Sequence, residues 1–338
     1  MTTISVLSPA APCTDPLFAG WQCLGVRSSA NDNGALYDID VRWNRVGQSA
    51  RATFTWLVGG ASLAFMREES VFAQQVQDDL DANERIRTVD LRFLGAGTAA
   101  PPRNGFVNIA AVYADLLEYL VAQGIAEGVL GHHGNSGGAM MGANALAYHR
   151  LDEVLDGVVF GGGPFWSDLR AVCTEPASPM YGTLAVQQNV DGWNWGDLGG
   201  TYCVDHVESD PSYECRSTLG PDADASYPGL IVSVLVGTAD AFNPWIDASA
   251  SDYWQKIVAE RKTFDRPNAP HLVVGSQVGA DAVYQRIVEI ADLSVAPAIP
   301  SFSWGMVVML SLLLVAVGVG ARIMRPLRAP EGTRARRS

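Results

Sequence analysis

The chain has 338 residues, 48% hydrophobic and 17% charged side chains, and a formal net charge of −13. That length and apolar content allow a large buried core and exclude a disordered chain. The acidic balance argues against nucleic acid as a partner, because phosphate backbones need a cationic surface.

Residues 1–36 are read as an N-terminal segment containing Cys13 and Cys23. It has neither the basic nor the apolar region of an export signal, so either translation starts further upstream or the apolar span near the C-terminus alone directs insertion. From 37 to 58, YDIDVRWNR and ARATFTWLV have strand composition around a polar turn and predict an antiparallel hairpin. The rhythm then changes. SVFAQQVQDDLDANERI is helical and precedes the strand-like TVDLRFLG, and helical NIAAVYADLLEYLVAQGI precedes EGVLGHH. Helical AMMGANALAYHRLDEVL leads to GVVFGGGPF, another strand. A stretch from 166 to 227, rich in Gly, Pro, Asp, Cys and Trp, interrupts the alternation. It resumes with the apolar strand LIVSVLVG, the helix WIDASASDYWQKIVAERK, the short strand KTFDRP and the helix ADAVYQRIVEIADL. Strands alternating with helices predict an α/β fold with a mostly parallel, doubly wound sheet over residues 37–293.

The stretch GHHGNSGGAMMG, from Gly131 to Gly142, carries the candidate chemistry. As G-x-S-G-G it resembles the nucleophile segment of trypsin-like proteases. Those proteases are built from β-strands and place their histidine well upstream of the serine, whereas here only His132 and His133 precede Ser136, amid helices. Read as G-x-S-x-G, the stretch is a strand, a sharp turn and a helix. Gly134 and Gly138 flank Ser136 at the two-residue positions, where side chains would clash with a strained corner.

This arrangement resembles the nucleophile elbow of the α/β-hydrolase superfamily, and the strand–helix alternation from 37 to 293 is similar to that fold. The resemblance implies a serine hydrolase with chain order serine, acid, histidine. Asp240, just past LIVSVLVG, takes the acid's place, with Asp247 and Asp252 as rivals on the next helix. His271 takes the histidine's place in the proline–histidine loop after the last strand, since GSQVGAD carries none. His132, His133, His149 and His206 are weaker candidates, and His133 is expected to pack beneath the elbow. The oxyanion donors implied are the N–H of Gly137 and one from the early loop Gly59-Gly60-Ala61, at Gly60 or Ala61. The 166–227 stretch has the position of a cap insertion. Its aromatics Trp193, Trp195, Tyr202 and Tyr213 either line a pocket or form the core of a small subdomain. The implied reaction is hydrolysis of a small-molecule or polymer ester, with Ser136 as nucleophile, His271 as base and Asp240 orienting His271. A non-catalytic surface binding or adhesion module on the same fold is the alternative.

No cofactor is expected, and no metal. The five cysteines show no zinc spacing, and Asp222-Ala223-Asp224 and Asn31-Asp32-Asn33-Gly34 lack the acidic residue that would complete a calcium loop. Disulfides are expected instead: Cys13 with Cys23, and two of Cys173, Cys203 and Cys215.

After a Pro/Ala-rich linker at 294–303, residues 304–323 are read as a transmembrane helix. The uncharged run Trp304–Ala321 would span about 27 Å as a helix. The arginines of the basic tail, 324–338, favour a cytoplasmic C-terminus and an extracytoplasmic main domain. Ile299-Pro300-Ser301-Phe302-Ser303-Trp304-Gly305 before the span resembles the C-terminal sorting segments of the PEP-CTERM type, in the variant called IPTL-CTERM. That resemblance implies export, surface sorting and a sorting protease as partner.

Overall fold

A computed structural model describes residues 4–29, 36–60, 62–94, 105–195, 202–205 and 212–293. Among these lie nine strands: β1 (Ile4–Pro12), β2 (Gln22–Ser29), β3 (Leu36–Trp43), β4 (Ala52–Leu57), β5 (Ile86–Leu94), β6 (Val129–Asn135), β7 (Gly157–Gly161), β8 (Ser226–Leu235) and β9 (Val258–Asp265). The helices are α1 (Met66–Glu69), α2 (Val71–Glu84), α3 (Gly105–Ala122), α4 (Gly137–His149), α5 (Leu169–Thr174), α6 (Leu184–Trp195), α7 (Ser212–Arg216), α8 (Trp245–Lys256) and α9 (Gln277–Leu293).

The strands form one sheet in the order β1-β2-β3-β5-β4-β6-β7-β8-β9. The first three pairings are antiparallel and the rest are parallel. Successive residues of the central strands point to opposite faces, as the two-residue strand period requires. Val158 and Phe160 of β7, with Val232 and Val234 of β8, pack with α3, α4 and α8. Val159 and Ile231 pack on the other side with α2 and α9, through Val76, Leu80, Val283 and Ile287. Helices therefore cover both faces, which suits a parallel sheet. α3 is long and apolar enough to cross a membrane by length and composition, yet Ile109, Val112, Leu116 and Leu120 on it are buried in this core.

The expected hairpin over 37–58 does not form. β3 and β4 are separated by β5, which is antiparallel to β3 and parallel to β4. The difference was written in the burial pattern. β3 alternates between buried and partly exposed positions, whereas all six residues of β4 are buried. A strand buried on both faces belongs inside a parallel sheet, and β4 is joined to its parallel neighbour β5 by the crossover helix α2.

Of the expected N-terminal segment 1–36, Ile4–Pro12 and Gln22–Ser29 join the sheet as β1 and β2 at its edge. Cys13 and Cys23 are joined by a disulfide that ties β1 to β2. At the other edge, Val258-Ala259-Glu260-Arg261 is strand rather than the end of a helix, and its charges face solvent as edge strands tolerate. Within 166–227 the described residues form α5, α6 and α7, with a second disulfide between Cys173 and Cys203. Cys215 is exposed and lies outside both disulfides. The expected linker, transmembrane helix and basic tail, 294–338, lie outside the described residues.

Candidate active site

β6 runs through the centre of the sheet and ends at Asn135, and α4 begins at Gly137, so Ser136 alone makes the corner. Its φ of 51° and ψ of −114° lie outside the ordinary regions for a residue with a side chain. The glycines make this corner buildable. A Cβ on Gly134 would strike the backbone of Gly138, and one on Gly138 would strike the carbonyl of Leu57. The Ser136 N–H donates to the Gly161 carbonyl at 2.7 Å, fixing the corner to β7.

Two further loops converge on this point. After β8 the chain turns through Gly237 to Asp240, and after β9 it passes Pro267 to His271. Thr238 N–H donates to the Pro267 carbonyl at 2.9 Å and Ala239 N–H to the Ala269 carbonyl at 3.0 Å. The acid-bearing and histidine-bearing loops are thereby fastened to one another.

His271 stands between the other two residues. Its Nδ1 is 2.8 Å from Asp240 Oδ2, and its Nε2 is 2.8 Å from Ser136 Oγ. With Nδ1–H donating to the carboxylate, Nε2 is left as the acceptor of the serine proton. The Asp240 side chain is fully buried, and its other oxygen accepts the Phe242 N–H at 2.8 Å. Both carboxylate oxygens are thus held, and the phenyl ring of Phe242 stands edge-on to the imidazole at 5.0 Å. The rival carboxylates are engaged elsewhere: Asp247 with Arg266, and Asp252 with Ser167 and Lys256.

Gly137, at the head of α4, lies against Gly60 so closely that a Cβ on Gly137 would collide with the Gly60 carbonyl. Gly60 takes a φ of 61° in the loop after β4, and both glycines line the same pocket as Ser136 and His271. Ala61, the other expected donor, lies outside the described residues. Among the described residues, no group of three or more His, Cys, Asp or Glu side chains is placed to hold a metal ion.

The remaining histidines have other surroundings. His132 and His133 are fully buried in β6. Burial holds His132 down to about 3, with His133 as its neighbour adding to the effect, and holds His133 down to about 4. His133 Nδ1 donates to the Val159 carbonyl at 2.9 Å and its ring packs edge-on to Trp56, beneath the elbow. His149 Nε2 donates to the Val107 carbonyl, and His206 lies outside the described residues.

One residue that sequence reasoning missed is Asn135, buried beside the nucleophile. Its Nδ2 donates to the His271 carbonyl at 3.2 Å and its Oδ1 accepts the Val273 N–H at 3.0 Å. It grips the histidine loop on both sides of Leu272. The motif G-x-S-x-G leaves that position open, so the pattern held no signal for it.

The pocket over Ser136 is open to solvent. Its walls include Phe106 of α3, Trp166, Trp193 of α6, Phe242 and Trp245 of α8. Of the aromatics expected in the 166–227 stretch, Trp193 lines this pocket, whereas Trp195 stacks on Tyr202 and meets Tyr213 edge-on.

The sequence matches no protein-family model and no curated protein. Solved structures are similar over most of the chain. A mutant form of the esterase rPPE is 16% identical, with 83% of this chain and 85% of that chain covered and a TM-score of 0.50. Brefeldin A esterase, a bacterial homologue of human hormone-sensitive lipase, is 14% identical with 84% and 79% covered and a TM-score of 0.49. A dienelactone hydrolase from Anabaena variabilis is 14% identical with 80% and 96% covered and a TM-score of 0.47. At 16% identity the likeness to the rPPE structure bears on the fold alone, which is α/β-hydrolase-like with a mostly parallel sheet.

Proposed function

We propose that this chain is a serine hydrolase that cleaves ester-type bonds through an acyl-enzyme intermediate. The observation that carries this reading is His271 at 2.8 Å from both Ser136 Oγ and Asp240 Oδ2, at the foot of an open pocket. A serine hydroxyl becomes nucleophilic when a base accepts its proton, and an imidazole serves as that base when a carboxylate fixes its tautomer.

Ser136 Oγ attacks the ester carbonyl while its proton passes to His271 Nε2, and Asp240 stabilises the imidazolium. The carbonyl oxygen becomes an oxyanion beside the backbone N–H groups of Gly137 and Gly60. Collapse of the tetrahedral intermediate breaks the bond to the alcohol oxygen, which takes the proton from His271. Water, deprotonated by His271, then attacks the acyl-serine; the acid leaves and Ser136 regains its proton.

The test is labelling of the purified protein with a fluorophosphonate probe, which reacts with an activated serine. Wild type is expected to label and Ser136→Ala to remain unlabelled while folded. Absence of label on the wild type, or equal label on the variant, overturns the proposal in favour of a non-catalytic binding module.

The proposed location is extracytoplasmic, with residues 304–323 as membrane anchor and the basic tail inside, open to a sorting protease. Two disulfides support an oxidising compartment. Protease added to intact cells producing the full chain is expected to digest the main domain; complete protection overturns the location.

A further inference from the structure

The walls of the pocket differ around the three directions in which a substrate must extend from Ser136. In the tetrahedral intermediate the oxyanion faces Gly137 and Gly60, and the leaving oxygen must meet His271 Nε2. The acyl group takes the direction that remains. Next to His271 stands Phe242, about half exposed at the mouth. The more deeply buried rings group around Phe106, on the Gly60 side of the pocket. Trp193 Cη2 is 3.6 Å from where a Cβ on Gly60 would stand, and the Trp193 ring is stacked on Phe106 at 5.4 Å and 26°. Trp166, buried, leans on the same Phe106 ring at 5.8 Å.

The backbone is bent to keep these rings there. Phe165 and Trp166 both take positive φ, 51° and 42°, which a residue with a large side chain adopts only under constraint. Phe165 turns into the core to stack on Tyr253 at 4.6 Å, and Trp166 turns to the pocket. Among the described lining residues there is no Asp, Glu, Lys or Arg, so nothing there balances a charged acyl group. The chain's charge of −13 further disfavours an anion. Aromatic walls also take quaternary ammonium groups, but such sites gain from a carboxylate that this lining lacks.

We infer that the site takes an uncharged aryl carboxylic ester, with the aromatic ring on the acyl side against Trp193, Phe106 and Trp166. This rests on the hydrolase reading above. A planar ring gains stacking with these faces that an equally large saturated ring does not. The alcohol side, bounded at the mouth by Phe242, leaves the alcohol open to solvent.

The experiment compares ethyl benzoate with ethyl cyclohexanecarboxylate by proton release, each kcat/KM divided by that ester's rate with hydroxide. Wild type is expected to favour the aryl ester about 2- to 12-fold, the range a stacking contact supplies. Trp193→Leu is expected to bring the ratio near one, and Trp193→Phe to retain a preference. A 4-carboxylate on the benzoyl ring is expected to lower kcat/KM at least about tenfold, the scale of one unbalanced charge. Three results overturn the inference: a wild-type ratio of one or less, a preference seen instead between benzyl acetate and cyclohexylmethyl acetate, or butyrylcholine exceeding the aryl ester. The wild-type ratio decides even where a Trp193 variant fails to fold. Failure of fluorophosphonate to label the wild type sinks both this inference and the hydrolase reading, whereas labelling with a saturated-acyl preference sinks this one alone.

Discussion

The amide of Asn135 donates to the carbonyl of His271 at 3.2 Å, so the residue beside the nucleophile holds the backbone of the base. Through Oδ1 it also accepts the Val273 N–H, on the far side of Leu272. The Ser136–His271 distance is therefore set by two paths: the direct hydrogen bond, and a buried amide that ties the histidine loop to the end of β6.

Asn135→Ala is expected to lower kcat about 10- to 100-fold with little change in KM, since displacing a reacting group by about 1 Å costs that much. Unfolding free energy is expected to fall by about 1–3 kcal/mol as the Val273 N–H loses its partner. Asn135→Asp keeps the acceptor for Val273 but sets an oxygen against the His271 carbonyl. It is expected to move the acid limb of the pH–rate profile, which a merely structural loss would leave in place. Steady-state kinetics across pH with urea unfolding checks this; an Asp variant with the wild-type profile counts against the positioning role.

Gly137→Ala is expected to lower kcat about 100- to 1,000-fold, the scale of losing one oxyanion donor. The added methyl would collide with the Gly60 carbonyl, pushing the loop away from the elbow. Gly20→Ala is a control at a positive-φ glycine whose Cβ meets nothing, and should affect stability alone. Comparable kinetic losses in both would show that the Gly60 contact is unimportant.

The stability of the fold should fall with acid because of His132 and His133. In the fold burial holds them down to about 3 and about 4, whereas in the unfolded chain they take protons near 6.5. Between about 4 and 6.5 the unfolded state binds more protons, so stability is complete above that window and drops on acidification by about 1.4 kcal/mol per unit for each histidine. Asp90 opposes this. Burial raises its carboxyl to about 6, so the fold binds its proton first and gains on acidification from 6 towards 3.8. Two groups outweigh one. Urea midpoints between pH 7 and 4.5 are expected to fall, and His133→Asn to make the fall shallower; a flat wild-type profile contradicts the argument.

The disulfide between Cys173 and Cys203 closes a loop of 30 residues around α6, and Asp191 on that helix accepts the N–H groups of Cys203 and Val204 at 2.7 and 3.1 Å. Cys203→Ser is expected to cost about 3–4 kcal/mol by the chain-entropy account. Because α6 carries Trp193, the variant is also expected to lose selectivity between esters before it loses reactivity with fluorophosphonate. Parallel loss of both would mean that α6 is not held by this staple.

Much of the site was legible because its requirements are local. The elbow needs glycines two residues on either side of Ser136, and both the strand before it and the helix after it have their own periodicity. Asp240 and His271 were legible from chain order, each following a recognisable strand. What could not be read depends on contacts between distant segments. Asn135 meets Val273 across 138 positions, and nothing in its neighbours announces this. The insertion of β5 between β3 and β4 was hidden because a polar turn between two strand-like runs looks the same for a hairpin and for a crossover. The 166–227 stretch displayed its tryptophans but not that Trp193 and Trp195, two residues apart, would go to different neighbours.

The three residues of the candidate site follow β6, β8 and β9, and Ser136 meets His271 across 135 positions of chain. No crossover or hairpin formed alone brings any two of them together except Asp240 with His271, which requires β8 and β9 to pair. Reactivity at Ser136 is therefore a clock for the end of folding. In a refolding experiment, fluorophosphonate labelling should lag behind recovery of helix signal, because helices form from local contacts and the Ser136–His271 bond waits on the slow, long-range pairing of parallel strands.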